Sequence, residues 1–494
     1  MISSILHLLR TLEDLVMSNL KYLGLFAYLA VSYFFMINIL EGFYEDSFIW
    51  MALFSLFLGG LIILFKPRLS YWVYFTSIFV SFSYIGRFFY SIPSLFRWIP
   101  LVMLLVTLGL VIIYPNRKIS LRGAMPKNTL FVLIAFVVFG VISGIFNGTS
   151  VIQLVLGLRW VFPLVGAMIV TQFYFKDFDR TKLLRVLLII GILNFPVALI
   201  QRVLFVELLN LGSGDMVSGL FAGYRELVFF QTFCILTVLS YKIKGERLLS
   251  FIKPYSLVTL YLLTFALSNS RAVWIFIMIS VMFLFWIAGK EYFYRSLKTL
   301  IPLSLVIVTA ILIFDTIMTD EYSSRESFGY LTDLELMQDY VFGEDILNPE
   351  LGEDGSLKRG EALVYNLNLI KNNLGTLVLG LGPGAISQSN VSGATGSVVS
   401  EIGSRYLSRN TLSRILAENG MIGLIIFFLM LLSFYKNRRN KKEADEGIVL
   451  LRKGTVFLIT ILLIYYNVHM TEIFGLILAV LFYSNPSKVQ TKKR

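Results

Sequence analysis

Long runs of apolar residues alternate along this chain with short gaps that hold most of its charge. Runs of spanning length, roughly 17 to 25 residues, fall near 21–40, 47–65, 71–90, 95–114, 129–147, 154–175, 183–204, 226–243, 254–269, 271–288, 297–316, 411–435, 454–470 and 472–485. The pattern predicts an all-α polytopic membrane protein with about 14 transmembrane helices (12–14) and a large, partly helical extracytoplasmic loop domain before the last three spans. The predicted order is a cytoplasmic or interfacial segment at 1–20, spans 1 to 11 over 21–316, the loop domain at 317–410, spans 12 to 14 over 411–485, and a basic tail at 486–494. Inside the loop domain, Leu331–Ile346 and Arg359–Asn373 have helical apolar spacing. Asn373, Gly375 and the glycines at 380, 382 and 384 end the second helix in a turn, and 387–400 has the small polar composition of a loop.

The gaps orient the spans. FKPRLS, PNRKISLRGAMPK, FKDFDRTKLLR, YKIKGERLLSFIK, AGKEYFYRSLK, YKNRRNKKEADE and the tail SKVQTKKR are basic, and the connections between them carry few bases. Cytoplasmic loops collect Lys and Arg, so both termini are expected in the cytoplasm and the acidic stretch outside. The hydrophobic fraction of 57% and the charged fraction of 15% fit no soluble chain of 494 residues. The net charge of +12 resides in the cytoplasmic loops, which removes nucleic acid as an implied partner. One cysteine, Cys234, excludes an internal disulfide framework. The first twenty residues lack a small-residue cleavage site and read as an interfacial helix.

Against that bias, Arg87, Arg159, Arg225, Arg271 and Arg409 all fall at the expected outer ends of their helices. Arg185 and Arg247 are cytoplasmic flanks, and Arg202 is read as a snorkelling residue. Guanidinium groups are permanently charged forks suited to phosphate, so five at one level point to an anionic ligand such as a lipid diphosphate whose tail stays in the bilayer. GLGPG (Gly380–Gly384) reads as a tight turn or as a backbone anion nest. SRNT before RILAENG reads as a helix start capped by Ser408 or Asn410, an end that can also receive a phosphate. Glu418 is a general-base candidate or the partner of Arg414 at i,i+4. His469 reads as a packed residue, no metal-ligand spacing occurs, the acids of EDILNPELGED read as a solvated face, and no Walker A pattern is present.

The motifs GLRWVFPL with Arg159, NFPVALIQ, SGLFAGYRE with Arg225, SNSRAVW with Arg271, RGEALVYN followed by GLGPG, and SRNTLSRILAENGMIGL occur in that order over roughly residues 150–480. In order and spacing the chain resembles the O-antigen ligase and O-antigen polymerase superfamily of bacterial membrane glycosyltransferases. The resemblance implies transfer of oligosaccharide from undecaprenyl diphosphate at the outer face of the cytoplasmic membrane, to an acceptor glycan, without a cofactor or metal. It implies Arg159, Arg225, Arg271, Arg409 and Glu418 as catalytic residues, with Glu361 or Glu226 as other bases. It further implies Arg87, Arg359, Arg405, Arg414, Gly382, Gly384 and Asn410 in substrate binding. A chain-length regulator and a flippase are the implied protein partners. Ligases of this family typically carry a histidine before the asparagine, where this chain has Arg409; the departure suits a repeat-unit polymerase better than a ligase. A ligase acting on a lipid or protein acceptor, and a flippase or transporter of lipid-linked oligosaccharide, are the alternatives.

Overall fold

The computed structural model describes residues 70–79, 99–113, 127–174, 180–203, 217–221, 223–268, 273–292, 357–387, 395–402, 407–436, 446–467 and 471–482, with single positions at 294, 305, 309 and 349. Among these, every extended regular element is a helix. The chain divides into two compact units, Met1–Arg117 with Leu220–Ala222, and Lys118–Gly219 with Gly223–Arg494.

In the first unit, α1 (Ser70–Phe79) packs on α2 (Ile99–Ile113). Helical spacing puts Tyr71, Phe75 and Phe79 on one ridge, with centroids 6.1 Å and 4.9 Å apart along it. Phe79 then meets Phe221 at 5.7 Å. On the facing helix the buried Thr107 hydroxyl donates to the Met103 carbonyl of its own helix at 2.6 Å and also lies 3.3 Å from the Ser70 carbonyl of α1, a polar contact between the two helices.

The second unit contains α3 (Lys127–Phe146), α4 (Val151–Leu158), α5 (Val161–Tyr174), α6 (Arg180–Ile200), α7 (Tyr224–Ile243), α8 (Pro254–Leu267) and α9 (Val273–Ala288). After these come α10 (Arg359–Lys371), α11 (Leu374–Leu379), α12 (Ser397–Ile402), α13 (Thr411–Lys436), α14 (Glu446–Leu462) and α15 (Glu472–Phe482). The main contacts are α3 with α13, α5 with α15, α6 and α7 with α8, and α14 with α7 and α9. The unit has two unlike ends. At one end Lys244 meets Glu446 at 2.6 Å, and Ser433 donates to Thr129 at 2.9 Å. At the other, Thr411 and Leu412 donate to the carbonyls of Tyr466 and Leu463, and Asn147 reaches Gly380 O at 3.1 Å.

Among the described residues, fewer spans are seen than the fourteen or so expected from sequence: four helices there are long and apolar enough to cross a membrane, Asn128–Phe146, Arg180–Val203, Tyr224–Ile243 and Thr411–Lys436. A fifth is the pair Val151–Leu158 and Val161–Gln172 if its 51° bend lies within one span. The runs read at 254–269, 271–288 and 472–485 give apolar helices of 10 to 17 residues over the described positions, the first of them opened by Pro254. The run read at 454–470 is α14, which starts at Glu446 and stops at Leu462 in a turn holding Tyr465 and Tyr466. Runs at 21–40, 47–65 and 297–316, and the expected helix at 331–346, lie outside the described residues, apart from single positions.

The described part of the expected loop domain is not a separate body. Helices α10 and α11 lie directly on α13, around a core of Leu357, Ala362, Ile386, Val399, Leu407 and Ala417. The stretch read as a polar loop at 387–400 contains the start of α12.

The main irregularity is in α13, which the apolar pattern reads as continuous. It breaks at Gly420, with φ 62° and ψ −167°. The break frees the carbonyls of Ala417 and Glu418, and the GLGPG turn fills both: Leu381 N donates to Ala417 O at 2.8 Å and Gly382 N to Glu418 O at 3.0 Å. Glycine is required here because a Cβ on Gly420 would stand 2.5 Å from both Gly380 N and Val378 O. Gly420→Ala is therefore expected to destabilise by more than about 3 kcal/mol, left-handed strain plus overpacking. Gly148→Ala, with φ 63° but nothing within 4 Å of its Cβ, is expected to cost only the strain, about 1 to 2 kcal/mol. Thermal unfolding of the purified variants in detergent checks the pair, and equal losses refute the backbone-contact account.

Candidate functional site

Two interrupted helices meet at the end of the second unit opposite the Lys244–Glu446 pair. One interruption is between α4 and α5, at Arg159; the other is the α13 break after Glu418. The GLGPG turn lies between them. Its glycines face α4 as closely as α13: a Cβ on Gly157 would come 2.3 Å from Gly384 N, and one on Gly384 would come 2.3 Å from Gln153 O. Helix α4 starts with a capping box, Ser150 and Gln153 each accepting from the other's backbone N–H at 3.3 Å. The Gln153 side-chain amide also donates to Thr395 O at 2.7 Å. Arg159 therefore stands at the end of a short helix held on several sides.

Behind this interruption is a buried polar layer. Arg414 Nε pairs with Glu418 Oε2 at 3.3 Å, Ser387 Oγ donates to Glu418 Oε1 at 2.9 Å, and Arg414 Nη2 donates to the same serine hydroxyl. With Arg414 at 7% and Glu418 at 2% exposure, both carboxylate oxygens are occupied away from water. Asn410 is the cap of α13: its Oδ1 accepts from Ser413 N at 2.8 Å and its Nδ2 donates to Arg359 O at 2.9 Å. Arg359 is buried too, its Nε on Tyr465 O at 3.2 Å and its guanidinium 3.8 Å from the Tyr465 ring centroid. Arg409 donates to the Leu357 carbonyl, a tether between α10 and α13.

In front is an accessible layer. Arg159 and Arg225 are exposed, with Tyr224, Glu226 and Glu472 half-buried beside them. Arg225 leaves the first turn of α7 and sits 5.8 Å from the Tyr224 ring and 5.9 Å from the Tyr466 ring. Tyr466 is 4.5 Å from Tyr465, so Arg225 and Arg359 flank one tyrosine pair. The loop before α7 is set by Gln201, which accepts from Ser218 N and Gly219 N at 3.0 and 2.8 Å and donates to Gly219 O at 2.7 Å.

The two layers interact electrostatically. Arg159 lies in the fields of Arg414, Glu472 and Glu418; Glu472 lies in those of Glu226 and Arg159; Arg225 lies in that of Glu226. Backbone packing explains the first of these approaches. A Cβ on Gly475 would come 2.7 Å from Pro163 O, so α15 and α5 touch backbone to backbone one turn below Glu472 and Arg159. Five arginines (159, 225, 359, 409, 414) and three glutamates (226, 418, 472) thus gather at one end of the unit. Such a mixture leaves an excess of guanidinium charge for an anion to neutralise.

No protein-family model matches the chain, and no curated protein matches its sequence.

Of the residues expected in the site, Arg87, Arg271 and Arg405 lie outside the described residues. Arg159, Arg225, Arg359, Arg414, Glu418 and Asn410 are gathered, but in two layers that the sequence does not separate. Gly382 and Gly384 are packing glycines, not an anion nest: Gly382 N is taken by Glu418 O, and both stand against α3 and α4 or the loop joining them. The start of α13 is closed to phosphate, since the amides of Thr411, Leu412 and Ser413 donate to Tyr466 O, Leu463 O and Asn410 Oδ1. Glu418 is the ion-pair partner of Arg414, not a base open to substrate, and Glu361 is spent on capping α10 through Lys358 N at 2.7 Å. Arg202, read as snorkelling, is 4% exposed. Sequence reasoning missed Glu472, Ser387 and the Tyr465–Tyr466 pair; the signal for Glu472 was its place at the expected outer end of a helix, the criterion applied to the arginines. Among the described residues, no group of three or more His, Cys, Asp or Glu gathers to hold a metal.

Removing one partner of a buried ion pair strands the other. Arg414→Ala is expected to destabilise by about 3 to 5 kcal/mol, whereas the double change Arg414→Met with Glu418→Met recovers most of that loss. Thermal unfolding of the three proteins in one detergent decides it; a double variant no more stable than Arg414→Ala contradicts the pairing.

Proposed function

We propose that this chain is an integral membrane glycosyltransferase that extends a polysaccharide from undecaprenyl-diphosphate-linked repeat units at the outer face of the bacterial cytoplasmic membrane. The observation that carries the reading is the exposure of Arg159 and Arg225 in one charged cluster, with Arg414, Glu418 and Arg359 packed behind them. In this reading the chain crosses the membrane about 14 times with both termini in the cytoplasm, and residues 317–410 lie on the outer side. The site end of the second unit then faces outward and the Lys244–Glu446 end faces the cytoplasm.

The donor's diphosphate is both anchor and leaving group. As the bond to the sugar breaks, negative charge grows on the departing phosphate oxygen, and Arg159 and Arg225 neutralise it with fixed donors that need little reorganisation. The sequence reading adds Arg271 as a further catalytic arginine and Arg405 and Arg87 as further substrate-binding ones. Arg409 helps to shape the pocket through its tether to Leu357 O and has no capacity as a base, which favours polymerase over a histidine-dependent ligase. The acceptor is the growing glycan; a chain-length regulator and a flippase are the protein partners this role calls for.

Purified protein supplied with a polyprenyl-diphosphate oligosaccharide is expected to give a ladder of products. Arg159→Lys and Arg225→Lys keep the charge but lose the fork, and each is expected to lower the rate by about 100-fold. One transfer to a lipid or protein acceptor would instead indicate a ligase. Lipid movement across vesicles with no product would indicate a transporter. Lysine variants at the wild-type rate and product length would refute the proposed arginine role.

A further inference from the structure

The proposed transfer needs a group to take the proton of the acceptor hydroxyl, and the carboxylates favoured by sequence are largely accounted for. Glu418 has Ser387 on one oxygen and Arg414 on the other, at 2% exposure. Glu361 accepts from Lys358 N at 2.7 Å and holds the start of α10. Glu226 turns back along its own helix, its Oε2 being the nearest heavy atom, at 2.9 Å, to the place a Cβ would take on Gly223.

Glu472 is placed differently. It opens α15, it is half-buried, and the glycine contact of α15 with Pro163 sets it beside Arg159. Glu472 thus stands at the start of α15, with Arg159 at the bend just before the α5 helix on which α15 packs. Its electrostatic neighbours are Arg159 on one side and Glu226 on the other.

We propose that Glu472 is the general base of the transfer, an assignment that rests on the glycosyltransferase reading above. The acceptor hydroxyl gives its proton to a Glu472 carboxylate oxygen as its own oxygen forms the new bond to the donor's anomeric carbon. The bond from that carbon to the diphosphate oxygen breaks, and the electron pair leaves with the polyprenyl diphosphate toward Arg159 and Arg225. One O–H and one C–O bond break, while one C–O and one O–H bond form, with no change of oxidation state. Glu472 thus serves the acceptor side of the cluster and the arginines the donor side.

The test separates binding from turnover. Full-length wild-type, Glu472→Gln and Glu472→Asp proteins are reconstituted in nanodiscs, with a fluorescent polyprenyl-diphosphate oligosaccharide as the probe. Glu472→Gln is expected to bind the probe within about twofold of wild type while turnover falls at least about 100-fold, the scale of general-base loss. Glu472→Asp, which keeps the carboxylate, is expected to retain turnover well above the glutamine variant. Glu472→Gln turning over at the wild-type rate, or losing binding in step with turnover, overturns the assignment and leaves the residue as a counter-ion of Arg159. No product from wild-type protein that binds the probe overturns the glycosyltransferase reading and this assignment together.

Discussion

Two backbone hydrogen bonds, Leu381 N to Ala417 O and Gly382 N to Glu418 O, make the rest of the site possible. A helix interrupted inside an apolar protein leaves carbonyls with no partner, and each buried polar group left so costs several kcal/mol in a medium without water. Here the partners come from a distant turn, so the α13 break is stable only when GLGPG is docked. The docking itself demands glycine: Gly380, Gly382 and Gly384 all have positive φ, and every one of them approaches another backbone or a fixed side chain too closely for a Cβ. Since the same turn leans on Gly157 and Gln153, the position of Arg159 and the break beside Glu418 are fixed together.

This arrangement explains how several charged side chains share so small a volume. Arg414 and Arg359 are nearly inaccessible, and each is matched by specific acceptors: Glu418 and Ser387 for one, the Tyr465 carbonyl and ring for the other. Burying a guanidinium without such partners is prohibitive. With them, the buried layer becomes a rigid positive support. Arg159 and Arg225, on the first turns and bends in front of it, remain accessible. A site in which some arginines are spent on structure and others are left for a ligand follows from this layering.

The sequence carries much of this and conceals a specific part. Helix positions at 128–146, 180–203 and 224–243 follow from apolar runs, and the expectation of Arg159, Arg225 and Arg409 at one end follows from the alternation of basic gaps. The break at Gly420 is hidden because one glycine in an apolar run costs a helix only about 1 kcal/mol and gives no stop signal. The turn at Tyr465–Tyr466 is hidden because tyrosine continues an apolar run as well as it ends one. Which arginine is buried depends on partners 27 to 106 residues away, such as Ser387 for Arg414 and Tyr465 for Arg359, and no local pattern records them. Glu472 is hidden for the same reason, because its relation to Arg159 passes through the glycine contact of α15 with α5, 312 residues apart in sequence at Gly475 and Pro163.

The proposed lipid-borne substrate would impose a further requirement, that a polar target and an apolar wall be reached together. Helix α4 meets it within two turns. Val151, Ile152 and Val155 are 75%, 54% and 61% exposed, and Arg159 follows Val155 by four residues at the C-cap. Neighbouring α3 continues the apolar surface with Phe131, Ile134, Val138, Ile142 and Ile145, and α13 beyond its break with Ile425, Leu429 and Leu432. In water such a surface would drive aggregation, whereas in a bilayer it is the ordinary boundary with lipid. Because the helices are interrupted where this surface ends, polar backbone and arginine side chains are presented at its edge without any charge being carried into the hydrocarbon. An uninterrupted α4–α5 helix would extend the apolar wall past the position of Arg159 and leave its guanidinium to snorkel along one helix face. In the proposed reading, the bend is what turns a membrane anchor into a group that can share a ligand with Arg225.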